Sequence, residues 1–197
     1  MSDDPNKFGD EEFIYEKSME AEPPPKHENN INDGFIIINF EKIPFKRRLL
    51  LDKKISVIMP EAFELMSKEH AEIKYPSVNR PDFIYTNEKT TINFMLTHRN
   101  DKVPNEEIPK MKDVVQALVM KLYPSSSVIE SETIEISGKN LSYFDFMTPT
   151  LGADMYNLSF IFSLEGRAVL GACSCPENDM DDWKPVFLQM LGSIEIK

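Results

Sequence analysis

The stretch that decides the fold is residues 156–164, which read YNLSFIFSL. Large apolar side chains occupy every second position from Tyr156 to Leu164, and mostly small or polar side chains lie between them. Because successive residues of a β-strand point to opposite faces, this alternation predicts a long strand with one face in a hydrophobic core. Residues 165–166 then predict a turn into a second strand at Arg167–Cys175.

The rest of the chain alternates long hairpins with helices and lacks the strand–helix–strand repeat of parallel sheets. The predicted elements, in chain order, are strands at 35–40 and 53–59, a short helix at 61–72, a hairpin at 82–97, a long helix ending at Leu122, four antiparallel strands between 128 and 175, and a C-terminal helix. This order predicts an α+β fold in which helices pack on an antiparallel β-sheet.

The two longer helices are predicted from apolar side chains at helical spacing. In the first, Ile108, Met111, Val115, Leu118 and Leu122 form one stripe, which we expect to face the core. The second carries a similar stripe: Trp183, Phe187, Met190, Leu191 and Ile194.

The charge of the chain is concentrated at its N-terminus. The 197 residues carry a net charge of −11, and residues 1–34 hold ten acidic side chains against three lysines, a net charge of −7. This segment also contains Pro23–Pro25 and few apolar residues. We predict an acidic, weakly structured arm over residues 1–34 and a single domain over residues 35–197. The arm either solubilises the protein or docks through its few apolar residues: Phe8, Phe13, Ile14 and Tyr15.

Composition excludes several classes of protein. The negative net charge argues against nucleic acid or an anionic membrane as partner. No run of about 18 apolar residues predicts a membrane span, and the acidic first residues do not resemble a secretory signal. Two cysteines form no disulfide framework, so we expect a reducing cytoplasm.

Catalytic motifs are absent from the sequence. It contains no phosphate-binding glycine loop, dinucleotide-binding motif, nucleophile elbow or zinc-protease motif. Cys173 and Cys175 lie two residues apart on a predicted strand, where packing explains them better than a metal or redox role. The sequence thus predicts no enzyme, no catalytic residues, no metal and no cofactor. Two alternatives stay open: an unrecognised active site near His98 and Asp101, and a small-molecule sensor on the sheet face.

Two further segments are candidates for interaction. The basic cluster formed by residues 46–48 with Lys53 and Lys54 is either a solvated strand end or a receptor for the acidic arm. Residues 74–81 combine a tyrosine, an arginine and two prolines in a segment that is neither regular helix nor central strand. Since tyrosine and arginine are enriched at interfaces, we predict a partner-binding site there, and its candidate residues are Lys74, Tyr75 and Arg80.

Two motifs resemble the PsbP-like fold. The final helix matches it through Trp183, Pro185, Val186, Phe187, Leu191, Ser193 and Ile194. Residues 74–81, followed by residues 85–87, resemble uncharacterised bacterial members, and the likeness covers residues 35–197. The fold is named for a photosystem subunit and also occurs in a nuclear Ran-binding protein. The resemblance implies a non-catalytic binder, because members include chaperones dedicated to secreted toxins, and it transfers no catalytic residue and no photosystem role.

These observations together predict a cytoplasmic, non-catalytic protein-binding domain, such as an adaptor or a dedicated chaperone, of bacterial origin. Its partner is expected to be another protein, with self-association left open.

Overall fold

The computed structural model describes residues 29–150 and 152–197. Eleven strands lie in these residues: β1 Phe35–Ile38, β2 Glu41–Leu50, β3 Ile55–Pro60, β4 Glu64–Leu65, β5 Phe83–Thr86, β6 Asn93–Lys102, β7 Val128–Ile136, β8 Lys139–Thr148, β9 Met155–Leu164, β10 Arg167–Pro176 and β11 Glu195–Ile196. The α-helices are α1 Lys68–Lys74, α2 Ile108–Leu122 and α3 Met180–Gly192. Within the described residues, no helix combines the length and the apolar character that crossing a bilayer requires.

The strands form two antiparallel sheets. The larger has seven strands in the order β4-β5-β6-β10-β9-β8-β7, and the smaller has four in the order β1-β2-β3-β11. Every strand pair in the two sheets is antiparallel, and helices pack on the larger sheet. The architecture is the predicted α+β fold.

The seven-stranded sheet is covered differently on its two faces. The inner face carries the alternating residues Leu158, Phe160 and Phe162, which join the small sheet and α3 in the main core. The outer face carries Ile161, which is buried under Ile108 of α2. Ile161 was expected among the residues that alternate with the core positions, and it is 1% exposed because a helix covers this face as well.

The short helix differs from its prediction. It begins after Ser67, whose Oγ accepts a hydrogen bond from the backbone N–H of His70 as an N-cap. Upstream, the N–H of Phe63 bonds to the carbonyl of Pro60 in a turn, and β4 follows. Only the second half of the predicted helix over 61–72 is therefore helical, and this helix continues to Lys74.

The start of the ordered domain also differs from its prediction. Ile31 is 1% exposed and its N–H donates to Oε1 of Gln189 in α3 at 3.0 Å. Nε2 of Gln189 in turn donates to the carbonyl of Asn29 at 2.8 Å. Residues 29–34 thus pack as part of the domain, whereas residues 1–28 of the predicted arm lie outside the described residues.

Gly171 of β10 is a position where the core leaves no room for a side chain. It pairs with Phe160, and a Cβ atom on Gly171 would lie 2.1 Å from Cζ of that ring. The ring is fully buried and packs on Phe94 at 5.7 Å between centroids. We therefore expect Gly171→Ala to lower the free energy of unfolding by about 1–3 kcal/mol, the usual cost of overpacking, in urea denaturation.

Two variants make this prediction specific. Gly192→Ala is the matched control, because a Cβ there meets no atom within 4 Å. Adding Phe160→Leu to Gly171→Ala removes the clashing ring atoms and should recover part of the loss. A Gly171→Ala protein as stable as the wild type would contradict the assigned register of β9 and β10.

Candidate functional site

The outer face of the large sheet is open between its two helices. α2 lies at the β8–β9 side, where Tyr123 after its last turn stacks on Phe146 with ring centroids 6.4 Å apart. α1 lies at the β5 side, where Ala71 packs with Ile84 and Met95. Between them, β6 and β10 form the floor of a groove, and its half-buried floor residues are Thr97, Leu170 and Ala172. We call this feature the outer-face groove.

One wall of the outer-face groove is an apolar flank of α2. Nζ of Lys112 and Oε1 of Gln116 bond to the hydroxyl of Ser131 in β7, at 2.6 and 2.9 Å, so this flank of the helix faces β7. Val114 and Leu118 lie on the opposite flank, toward β10, because helical spacing rotates them well away from Gln116. They are 55% and 57% exposed. The predicted stripe therefore faces the core only in part, since Leu118 and Leu122 face solvent.

The opposite wall is the loop that follows α1. Pro81 lines a depression of about 190 Å³ over the groove floor, and Val78, 94% exposed, stands at the tip. On the far side of the loop, Val78, Pro81 and Leu65 line a further depression of about 440 Å³. Exposed apolar side chains therefore lie on α2, on the loop after α1 and on β4, and the loop lines depressions on both of its sides.

Arg80 holds this loop in shape. Its Nη1 donates to the carbonyl oxygens of Tyr75 and Ser77 at 3.4 and 3.3 Å, and its Nη2 pairs with Glu72 of α1 at 3.1 Å. The guanidinium thus ties two carbonyl oxygens of the loop to a carboxylate of α1. These bonds restrict the conformations of the loop, so that Val78 is held exposed to solvent.

The three predicted partner-binding residues lie together behind this loop. Nζ of Lys74 donates to the carbonyl of Thr90 and lies 5.7 Å from the ring centroid of Tyr75. Burial lowers the pKa of Lys74 and raises the pKa of Tyr75, which packs half-buried against Met66 and Ala71. Lys74, Tyr75 and Arg80 therefore support the wall, while Val78 of the same segment is its most exposed apolar side chain.

A second polar cluster joins α3 to the sheet. The carboxylate of Asp145 in β8 is fully buried and accepts hydrogen bonds from the hydroxyl of Tyr156 at 2.8 Å and from the N–H of Glu130 at 2.7 Å. Nζ of Lys184 reaches Asp145 at 2.7 Å and Glu130 at 2.9 Å. Sequence reasoning missed this cluster, because a single aspartate in a strand gives no sign of a lysine 39 residues later.

The electrostatics of this cluster fit a structural role. Burial and the hydrogen bond to Asp145 raise the pKa of Tyr156, and the hydrogen bond from Lys184 lowers the pKa of Glu130. Burial alone would lower the pKa of Lys184, but its bonds to Asp145 and Glu130 outweigh burial and raise it. The lysine is thus held charged and the glutamate ionised, which pins α3 to β7 and β8.

The other residues considered for chemistry are not assembled into a site. His98 and Asp101 lie three residues apart on β6, in the stretch where its pairing with β10 is irregular, and Asp101 pairs with Arg99 at 3.1 Å. Cys173 and Cys175 are free thiols with no exposed surface. Burial raises the pKa of Cys173 well above its usual value and that of Cys175 to about 12, so both thiols stay protonated.

The arrangement of the two sheets and the terminal helix defines an α+β domain of the PsbP-like class. The solution structure of the cyanobacterial PsbP protein CyanoP from Synechocystis sp. PCC 6803 is similar, with a TM-score of 0.57 and 12% identity over 78% of this chain and 92% of that chain. LpqN of Mycobacterium tuberculosis, described as involved in cell envelope biogenesis, gives a TM-score of 0.48 and 9% identity over 79% of this chain and 91% of its own. No family model and no curated protein matches the chain. The chain therefore has the PsbP-like fold that its motifs predicted.

Proposed function

We propose that this domain is a non-catalytic protein-binding module of the cytoplasm, an adaptor or dedicated chaperone that takes an apolar segment of its partner in the outer-face groove. The observation that carries the proposal is the exposure of Val114 and Leu118 on one wall and of Val78 on the other. Soluble domains rarely leave contiguous apolar surface uncovered without an interaction to use it.

The shape of this surface favours a macromolecule over a small ligand. Pockets for small molecules enclose most of the ligand, whereas here the apolar side chains extend from α2 over the loop to Leu65, which is 54% exposed. A loop that Arg80 and two prolines already hold in place loses little conformational entropy when a partner binds. We therefore assign Lys74, Tyr75 and Arg80 to the support of the binding surface and Val78 to direct contact.

Affinity capture from the source cells tests the proposal. We expect a defined set of proteins, identified by mass spectrometry, to co-purify with the tagged wild-type domain and to be lost with Leu118→Glu and with Val78→Glu. Both changes place a charge in the proposed apolar contact, and both side chains are exposed, so the fold is retained. Leu49→Glu on the small sheet is the matched control, since Leu49 is 49% exposed and lies outside the groove.

Substitutions of the residues that support the loop test the proposal independently in the same experiment. Arg80→Ala with Tyr75→Ala should weaken capture of the same proteins while circular dichroism shows a folded domain. Capture that is unchanged by Leu118→Glu and Val78→Glu would contradict the groove as the binding surface.

A further inference from the structure

We propose that the groove wall on α2 binds a segment of this same chain, residues 11–16, whose sequence is EEFIYE. In this state the arm covers the exposed side chains of Val114 and Leu118 and competes with any other protein at the outer-face groove. The inference goes beyond the proposed function, because the arm can occupy α2 whether or not another partner exists.

The basic cluster at residues 46–54 is a poor receptor for this arm. Within the described residues three of its five cations already have carboxylate partners: Lys46 pairs with Glu61 at 3.0 Å, Arg47 with Glu195 at 3.2 Å and Lys54 with Glu165 at 2.8 Å. Arg48 donates to the backbone carbonyl of Glu61 at 2.8 Å, so Lys53 is the one cation of the cluster with no polar partner among the described residues. An acidic segment that docked there would have to displace these carboxylates.

The groove flank of α2 offers unpaired cations beside apolar side chains. Lys110 and Lys121 are exposed, and no described carboxylate lies within 4 Å of either. Both share a helix flank with Val114 and Leu118, because spacings of four, eight and eleven residues return to nearly the same side of a helix. α2 carries three lysines and one aspartate in a chain whose net charge is −11. This flank therefore presents two apolar side chains between two positive charges.

The arm contains the complementary pattern. Phe13, Ile14 and Tyr15 form the only run of three large apolar residues in the first 28, and glutamates stand at both ends of that run. From Lys110 to Lys121 a helix rises about 16 Å over eleven residue steps. From Glu11 to Glu16 an extended chain spans about 17 Å over five residue steps, so the two spacings match. In an extended segment Glu11, Phe13 and Tyr15 would share one face, so one carboxylate can meet a lysine while the aromatic side chains cover Val114 and Leu118, and Glu16 would start from the opposite face.

The connection is long enough for this contact. Glu16 and Asn29 are separated by 13 peptide units, which extend to about 45 Å. A domain of the described size has a radius of gyration of about 15 Å, which for a compact sphere corresponds to a diameter of about 40 Å. The connection starts at Asn29, which Gln189 of α3 holds in place, and its extended length exceeds that diameter. A tethered segment has a high effective concentration, so weak contacts suffice to hold it.

Paramagnetic relaxation in the full chain tests the inference. A spin label on Ser18→Cys lies next to the proposed segment, and the native Cys173 and Cys175 do not react because both are fully buried. We expect the amide signals of residues 110–121 to lose intensity when the label is oxidised. The loss should be independent of protein concentration, and Phe13→Ser with Tyr15→Ser should abolish it.

Two controls decide between the outcomes. Leu118→Glu should abolish the signal loss at the amides of α2. Because Leu118 is exposed, this variant is expected to keep its fold. Spin-labelled chain mixed with isotope-labelled, label-free chain should show no loss, because the contact is within one molecule. Signal loss that also appears in the mixed sample would overturn the inference in favour of a second copy, and loss confined to residues 42–54, or none at all, would overturn it outright. None of these readouts depends on an external partner, so they fail or succeed separately from the capture experiment.

Discussion

Trp183→Ala is expected to lower the free energy of unfolding by about 3–5 kcal/mol, as measured by urea denaturation. The indole is 6% exposed and lies between two rings. It stacks on Phe63 at 6.2 Å between centroids and tilts against Phe187 of α3 at 5.6 Å. Phe63 follows the small sheet and α3 packs on the large one. The indole of Trp183 therefore joins the small sheet, α3 and the large sheet, and its loss leaves a cavity that these elements cannot easily close.

A matched apolar truncation separates burial from helix propensity. Leu122→Ala removes a large side chain from a helix end where it is 74% exposed, so we expect a change of less than about 0.5 kcal/mol. A Trp183→Ala protein that loses as little as Leu122→Ala would contradict the packing of α3 between the sheets.

Lys184→Met is expected to lower the free energy of unfolding by about 3–5 kcal/mol at neutral pH, because it leaves the buried carboxylate of Asp145 without a countercharge. Tyr156 and the N–H of Glu130 would still donate to that carboxylate, but neither carries a positive charge. Adding Asp145→Asn removes the orphaned charge and keeps one oxygen, which can accept the hydrogen bond from the N–H of Glu130, whereas an amide nitrogen replaces the oxygen that accepts from Tyr156. The double variant should therefore recover part of the loss, as measured by thermal and urea unfolding.

Lys46→Met is the control for this ion pair. Lys46 and Glu61 are about half exposed, at 47% and 52%, so breaking their pair should cost about 0–1 kcal/mol. A double variant no more stable than Lys184→Met alone would show that the countercharge is not what Asp145 needs.

The same cluster sets a dependence of stability on pH. The pKa of Lys184 is raised in the folded chain, so its stabilising effect is complete below the ordinary lysine pKa of about 10.4 and is lost as the pH rises through the raised value. The pKa of Glu130 is lowered, so its contribution is present above about pH 4.3 and is lost as the pH falls through the lowered value. Lys184→Met should therefore flatten the alkaline fall in melting temperature relative to the wild type.

Sequence periodicity predicted most of the strands and the two longer helices because each pattern is local, but it missed β2 and the short strands β4 and β11. The alternation of residues 156–164 fixed which side chains of β9 face the main core, and the stripe around Phe187 fixed the buried face of α3. The helix over 61–72 was predicted too early, since helix-forming residues do not reveal the turn at Phe63 or the cap at Ser67. In the residues before Ser67, tertiary packing outweighs the local helix propensity.

The position of the candidate site depends on how much of each element its neighbours in the fold cover. From the sequence, the apolar stripe from Ile108 to Leu122 was predicted to face the core. In the structure α2 lies over β8 and β9, and the flank that carries Val114 and Leu118 does not contact the sheet and is exposed. In the same way, residues 74–81 were identified as an interface from their composition, whereas the network of Arg80 decides that Val78 is the side chain presented to solvent.

The sequence by itself determined the α+β class, the order of most of its elements and the concentration of negative charge before the domain, since these follow from residue type and short-range spacing. Only the tertiary structure decided that Asp145 and Lys184 form a buried ion pair and that a groove separates α2 from the loop after α1. Both features join residues that are distant in the chain. Their contacts depend on which strands are neighbours and on where each helix lies over the sheet, and no local pattern encodes either.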